Sequence, residues 1–104
     1  MSDASGSGDG PPGEYAPDRE LLRRFFGADG RLLTMPTRHL KRLTVLDHVA
    51  QRFEPGRTYD EREVDAILKA VHEDHAALRR YLVDDGFLTR EAGVYWRSGG
   101  TFAI

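Results

Sequence analysis

The chain has 104 residues, a formal net charge of −2, 39% hydrophobic and 31% charged residues, and no cysteine. That length accommodates a single domain. The lack of cysteine excludes a disulfide framework, a thiolate metal site and a cysteine nucleophile, and no apolar run approaches the roughly 20 residues that span a bilayer.

Residues 1–17, MSDASGSGDGPPGEYAP, hold four glycines, three prolines and a single aromatic. This is too little apolar surface to offset the entropy of ordering, so a disordered acidic tail is expected. The tail lacks the basic-then-apolar order of a signal peptide, which makes a cytoplasmic location the expectation. About 85 residues remain for one modest core that buries roughly two-thirds of its surface. The folded domain is expected over 18–98, with 99–104 frayed.

Leu21, Leu22, Phe25 and Phe26 share one face of a short helix that Asp18 is placed to cap. Gly27-Ala28-Asp29-Gly30 breaks it. Residues 31–35 follow as a short strand or extended arm, stopped by Pro36. Leu40, Leu43, Leu46, Val49, Ala50 and Phe53 then repeat at helical spacing, which predicts a helix over about 38–53 with Thr37 as N-cap and Pro55-Gly56 as terminator. Residues 57–59 form a brief extended segment.

Asp60 with Glu63 three residues on is a capping-box variant. Behind it Val64, Ile67, Leu68 and Val71 make a regular apolar stripe. The stripe keeps phase through 75, 78 and 82, so the residues from 60 to 85 suit either one helix or two. A single helix of about 26 residues exceeds the usual length, which favours a break at His72-Glu73-Asp74 with Asp74 capping the second piece. Gly86 ends that piece. Residues 87–90 and 94–97 read as a β-hairpin around Glu91-Ala92-Gly93. Alternation puts Trp96 on one face with Val94, and Tyr95 on the other with Arg97.

The near-neutral total hides a division. Residues 1–18 carry −4, residues 19–42 carry +5 and residues 43–104 carry −3. The basic block reads either as a solvated helix face or as a partner surface.

Helix, extended segment, helix, helix and hairpin is the order of a winged helix-turn-helix. The expected fold is therefore α+β, winged-helix-like, with a three-helix core, a C-terminal β-hairpin and an extra short N-terminal helix. In such a domain the third helix presents its outer face to the DNA major groove. The expected nucleic-acid contacts are Arg79 and Arg80 on that helix and Arg90 and Arg97 on the hairpin. Arg38, Lys41 and Arg42, at the start of the long helix, form a second patch. Tyr95 and Trp96 read as rings that cap the small core; the alternative is that one lies exposed beside Arg90 and Arg97, where it would suit base stacking or partner anchoring. Glu73 and Asp74 at the start of the third helix oppose phosphates, and a pI near 6.1 is far from a basic footprint. The alternative is a protein-interaction or dimerisation module of the same fold, meeting a regulator protein or a second copy through Leu21, Leu22, Phe25 and Phe26.

The stretches FFGADGRLLTMPTRHLKRLTVLDHVAQRFEPGRTYDEREVDAIL and HEDHAALRRYLVDDGFLTREAGVYWR resemble the prokaryotic domain-of-unknown-function family 2087. The DGRL turn, the PGRTYDEREV segment, the HEDHAALRRYLVDDGFL helix and the VYWR strand carry the resemblance, which covers residues 20–97. Members of that family occur alone or attached to arsenic-repressor-type helix-turn-helix regulators. The resemblance therefore implies a link with transcriptional regulation, and it assigns no catalytic residues.

Enzymatic signals are weak. His72 and His75 stand three apart, and a metal would need Glu73, Asp74 or His48 to complete its shell; HEDH lacks the HExxH spacing of zinc proteases. Ser98 is the only serine beyond residue 7, and neither GxSxG nor a phosphate-cradling GxxxxGK[ST] occurs. Asp84-Asp85 reads as a solvated pair or as partners of Arg79 and Arg80. No enzyme activity, metal, cofactor or membrane association is expected. The expected partner is DNA, bound weakly and in a salt-dependent way, or a protein.

Overall fold

The computed structural model describes residues 19–101. In chain order these form α1 (Arg19–Phe25), α2 (His39–Ala50), β1 (Thr58–Asp60), α3 (Glu61–Lys69), α4 (His75–Asp84), β2 (Leu88–Glu91) and β3 (Val94–Arg97). The architecture is α+β, four helices and one three-stranded antiparallel sheet ordered β1-β3-β2. Asp18, the expected cap of α1, lies outside the described residues.

Residues 31–35 are an arm rather than a strand. Leu32 makes an isolated bridge to Phe26, and its N–H donates to Val71 O at 2.7 Å. The arm thus ties α1 to the turn between α3 and α4. Arg31 reinforces the tie by donating to the carbonyls of Lys69 and Ala70 at 3.0 and 3.4 Å, where the end of α3 leaves acceptors unpaired.

The long helix is shorter than its periodicity predicts. It starts after Arg38, whose side chain makes no cap, so Thr37 is not the N-cap. At the far end Gln51, Arg52 and Phe53 donate to carbonyls three residues back, a tightened last turn. Apolar phase survives the tightening, and Phe53 is fully buried.

The region from 60 to 85 is two helices. Asp60 accepts from Glu63 N at 2.8 Å while the Glu63 carboxylate accepts from Asp60 N at 3.0 Å, completing the capping box of α3. The helix closes where Val71 and His72 both donate to Leu68 O. Asp74 then caps α4 by accepting from Ala77 N at 3.2 Å. The conserved phase of the stripe is real: Val64, Leu68, Val71, Leu78 and Leu82 all enter one core with Val45, Leu46, Val49 and Phe53 of the α2 segment. Burying each such side chain stabilises the fold by about 1.5–3 kcal/mol.

The hairpin joins β2 and β3 through Ala92-Gly93, both at positive φ (52° and 79°). Two-residue turns of this kind match the twist of the strands they connect. On β3, Tyr95 and Arg97 point inward, while Val94 is exposed and Trp96 half-buried. β1 completes the sheet, with Tyr59 opposite Tyr95 and edge-on to Phe53 at 5.1 Å.

Residues 99–101 are not frayed. Thr101 donates through its N–H and its hydroxyl to the two carboxylate oxygens of Asp47, both at 2.8 Å, and its carbonyl accepts from Gln51 at 2.8 Å and from Arg97. Gly99 permits this strap, because a Cβ there would stand 2.2 Å from Gly86 O. The ordered domain therefore extends beyond 98 to Thr101; residues 102–104 lie outside the described residues.

Candidate nucleic-acid interface

Capping by Asp74 fixes the start of α4, and the burial of Leu78 and Leu82 fixes its rotation. The opposite face then carries Ala76, Arg79, Arg80 and Val83 toward the hairpin. Between α4 and β2–β3 lies an open cleft of about 470 Å³ whose walls include Arg79, Arg80, Arg90 and Tyr95. Three of the four arginines expected to meet phosphate thus come together.

Their surroundings differ. Arg80 is exposed and sits 3.6 Å from Asp84 one turn on. Such a pair is worth about 1 kcal/mol at most, so the guanidinium is readily exchanged to another anion. Arg79 is half-buried and paired with Asp65 of α3. Burial works against its charge, but the hydrogen bond and the charge of Asp65 outweigh it, and its pKa rises. Arg79 is therefore a permanent cation that also locks α4 to α3. Arg90 lies 5.8 Å from the Tyr95 ring centroid, a loose cation–π contact. The Tyr95 hydroxyl donates to Glu61 at 3.1 Å. Burial, then Glu61, pushes the phenol pKa up, so the ring stays a neutral donor.

Arg97 departs from expectation. It was expected on the hairpin surface, yet it is 7% exposed and donates to Phe53 O at 3.3 Å, Gly99 O at 3.1 Å and Thr101 O. Burial lowers its pKa, with Asp47 opposing. The side chains of β3 alternate as expected, but the face shared by Tyr95 and Arg97 is the inner one. Tyr95 is 1% exposed, so the aromatic beside Arg90 and Arg97 is a core residue with only one edge toward the cleft.

The second patch is split. Arg38 is exposed at the N-cap of α2. Lys41 lines a separate groove between α1 and α2. Arg42 turns the other way, with its guanidinium 5.1 Å from the Tyr81 ring centroid and its Nε 3.6 Å from Asp85. That Nε and the Asp85 Oδ2 are both buried without a hydrogen bond, so a closer approach of a few tenths of an ångström would satisfy both. Arg80 and Tyr81 line a further small cleft on α4. Cationic groups therefore run from Arg90 across Arg79 and Arg80 to Arg42, interleaved with Asp65, Asp84 and Asp85.

The expected apolar interface is largely internal. Leu22 is buried, and Phe25 and Phe26 pack against the core, Phe26 edge-on to His48 at 4.9 Å. Leu21 is the member that lines the open groove.

His75 Nδ1 is buried without a hydrogen bond, whereas His72 and Ser98 are occupied structurally. His72 Nδ1 donates to Leu32 O at 3.2 Å, and the Ser98 hydroxyl accepts from Thr89 at 2.7 Å. The described residues hold no cluster of three or more His, Asp or Glu side chains placed to share a metal ion, and none of their helices is long and apolar enough to cross a membrane. Sequence reasoning missed the partners Asp65 and Glu61, which lie on another helix with no spacing signal to connect them to Arg79 or Tyr95.

Searches of curated proteins and of solved structures return no match. The sequence profile described as "Uncharacterized protein conserved in bacteria (DUF2087)" matches residues 31–97, spanning α2 to the end of β3 together with the arm before them. The chain belongs to the DUF2087 family of bacteria.

Proposed function

We propose that this chain is a non-enzymatic winged-helix module associated with transcription, which engages the DNA phosphate backbone weakly through α4 and the hairpin. The order α2-β1-α3-α4-β2-β3, with β3 central in the sheet, supports the winged-helix reading: α3 and α4 form the helix-turn-helix, and β2–β3 the wing. The observation that carries the functional reading is the convergence of Arg79, Arg80 and Arg90 on one cleft between helix and wing. Arg80 and Arg90 reach the phosphates, and Arg79 supplies fixed charge behind them. Arg42 extends the same contact along α4. Interleaved carboxylates repel phosphates and keep the affinity low.

Fluorescence anisotropy with a random duplex at low salt tests this reading. Binding in the non-specific range, with Kd on the order of 100 μM or tighter, is expected. With about three phosphate contacts, the slope of log K against log salt should be near −2.7. Combining R80A with R90A should flatten that slope. No binding up to about 100 μM refutes direct DNA contact by this chain.

A second reading is a protein-docking module of the same fold. It is favoured by the pairing of Arg79, Arg80 and Arg42 with Asp65, Asp84 and Asp85, which leaves little net positive charge on the face. A regulator protein or a second copy docked through apolar contacts would show little dependence on salt.

A further inference from the structure

A groove of about 410 Å³ separates α1 from α2, lined by Glu20, Leu21, Arg24, Leu40, Lys41 and Thr44. Leu40 is 77% exposed, although it lies on a helix whose other apolar residues are mostly buried. Arg24 and Lys41 flank the apolar floor, Arg38 stands exposed at the adjoining N-cap, and Glu20 is the sole carboxylate in the lining. An acidic segment carrying one large apolar side chain is the ligand chemistry that suits such a groove.

This chain carries that segment immediately before α1. Residues 9–18 read DGPPGEYAPD, with Tyr15 as the one aromatic. Residues 1–18 carry −4, against +5 on residues 19–42.

We propose that the groove between α1 and α2 is the docking site of this chain's own N-terminal segment, with Tyr15 seated against Leu40 and Leu21 and Glu14 facing Lys41. Reach is no obstacle: Tyr15 lies four residues before the start of α1 at Arg19, and an extended chain of that length spans roughly 13 Å. A tether this short sets an effective concentration in the millimolar range, so a contact of low intrinsic affinity is still populated. The seated carboxylates neutralise Arg24 and Lys41 and leave the cleft between α4 and the hairpin open. The docking stands independently of the DNA reading.

Nuclear Overhauser spectroscopy on the full chain at low salt tests it. Contacts are expected from the Tyr15 ring protons to the methyl groups of Leu40 and Leu21. Tyr15→Ala combined with Glu14→Gln should abolish those contacts and shift the amides of Lys41 and Thr44, with the core ring signals of Tyr59 and Tyr95 unmoved. Leu40→Ser, a change at an exposed position, should in turn shift the amides of Glu14 and Tyr15. Absence of Tyr15–Leu40 contacts, with Lys41 and Thr44 unaffected by the double substitution, overturns the proposal. Contacts that prove intermolecular in a mixture of labelled and unlabelled chains overturn it equally, because the occupant is then a second copy.

Discussion

Arg97 distinguishes a hairpin built for surface contact from one sewn into the core. A surface arginine can be removed at almost no cost to stability, whereas this one holds Phe53 O, Gly99 O and Thr101 O together. Arg97→Met keeps an apolar stem of similar length and withdraws all three donors. Stranding a buried carbonyl costs about 1–3 kcal/mol. The acceptor on Phe53 is the most enclosed and takes the upper part of that range; Gly99 O, nearer solvent, takes the lower, and Thr101 O keeps its bond from Gln51. Relief from desolvating a cation returns part of the loss, leaving a net destabilisation of about 2–3 kcal/mol. For a domain of this size each kcal/mol moves Tm by roughly 4–8 °C, so the midpoint should fall by about 10–20 °C. Urea and thermal unfolding followed by far-ultraviolet dichroism, and by the fluorescence of neighbouring Trp96, measure the loss. Arg97→Lys should recover little, because an ammonium cannot span the three carbonyls as the guanidinium fork does. Arg90→Ala, at an exposed position, should stay within about 0.5 kcal/mol of wild type. An Arg97→Met variant as stable as Arg90→Ala refutes the reasoning.

Three further outcomes are open to the same melts. Ala92 sits at a φ of 52°, a conformation that costs an L-residue about 1 kcal/mol; Ala92→Asn should stabilise the hairpin by roughly 0.5–1 kcal/mol, and a loss would contradict the positive φ. Asp60→Ala removes the side-chain half of the α3 capping box, leaving the bond from its backbone N–H to Glu63, and should cost about 1 kcal/mol in urea titrations; an unchanged midpoint would contradict the cap. Burial, and then Arg52, lowers the pKa of His48, with Asp47 opposing. The unfolded chain therefore binds the proton more readily. Stability is full above the unfolded value of about 6.5 and declines as pH falls through the folded value. His48→Gln should flatten the change in Tm between about pH 7 and pH 5, and an unchanged slope would assign the effect elsewhere.

Local signals in the sequence translated well into the fold. Asp60 and Asp74 announce their helices because a cap is a contact between residues three apart, and the alternation of Val94, Tyr95, Trp96 and Arg97 announces β3 for the same reason. Which face of β3 turns inward is a tertiary matter. Charge made Arg97 look like a surface residue, and only the carbonyls of Phe53, Gly99 and Thr101, gathered from three places, make its burial tolerable. The strap at 99–101 was equally illegible, since Asp47 meets Thr101 across half the chain. At the candidate interface the arginines of α4 were readable from helical spacing, whereas Asp65 and Glu61, which fix Arg79 and Tyr95, belong to α3 and carry no pattern that points to α4.

The sheet order has a consequence for how the molecule is made. Among the described residues β1 pairs only with β3, which is the last of their strands. A growing polypeptide emerges from its N-terminus, so Tyr59 has no cross-strand partner until Tyr95 has been synthesised. Until then the Phe53 and Tyr59 rings and the carbonyl of Phe53 that Arg97 later covers remain open to water and to protease. Pairing at such sequence separation is slow, because the loop must close before its contacts form. A nascent chain halted before Val94 should therefore carry an unfinished core, open around Phe53 and Tyr59 until β3 arrives.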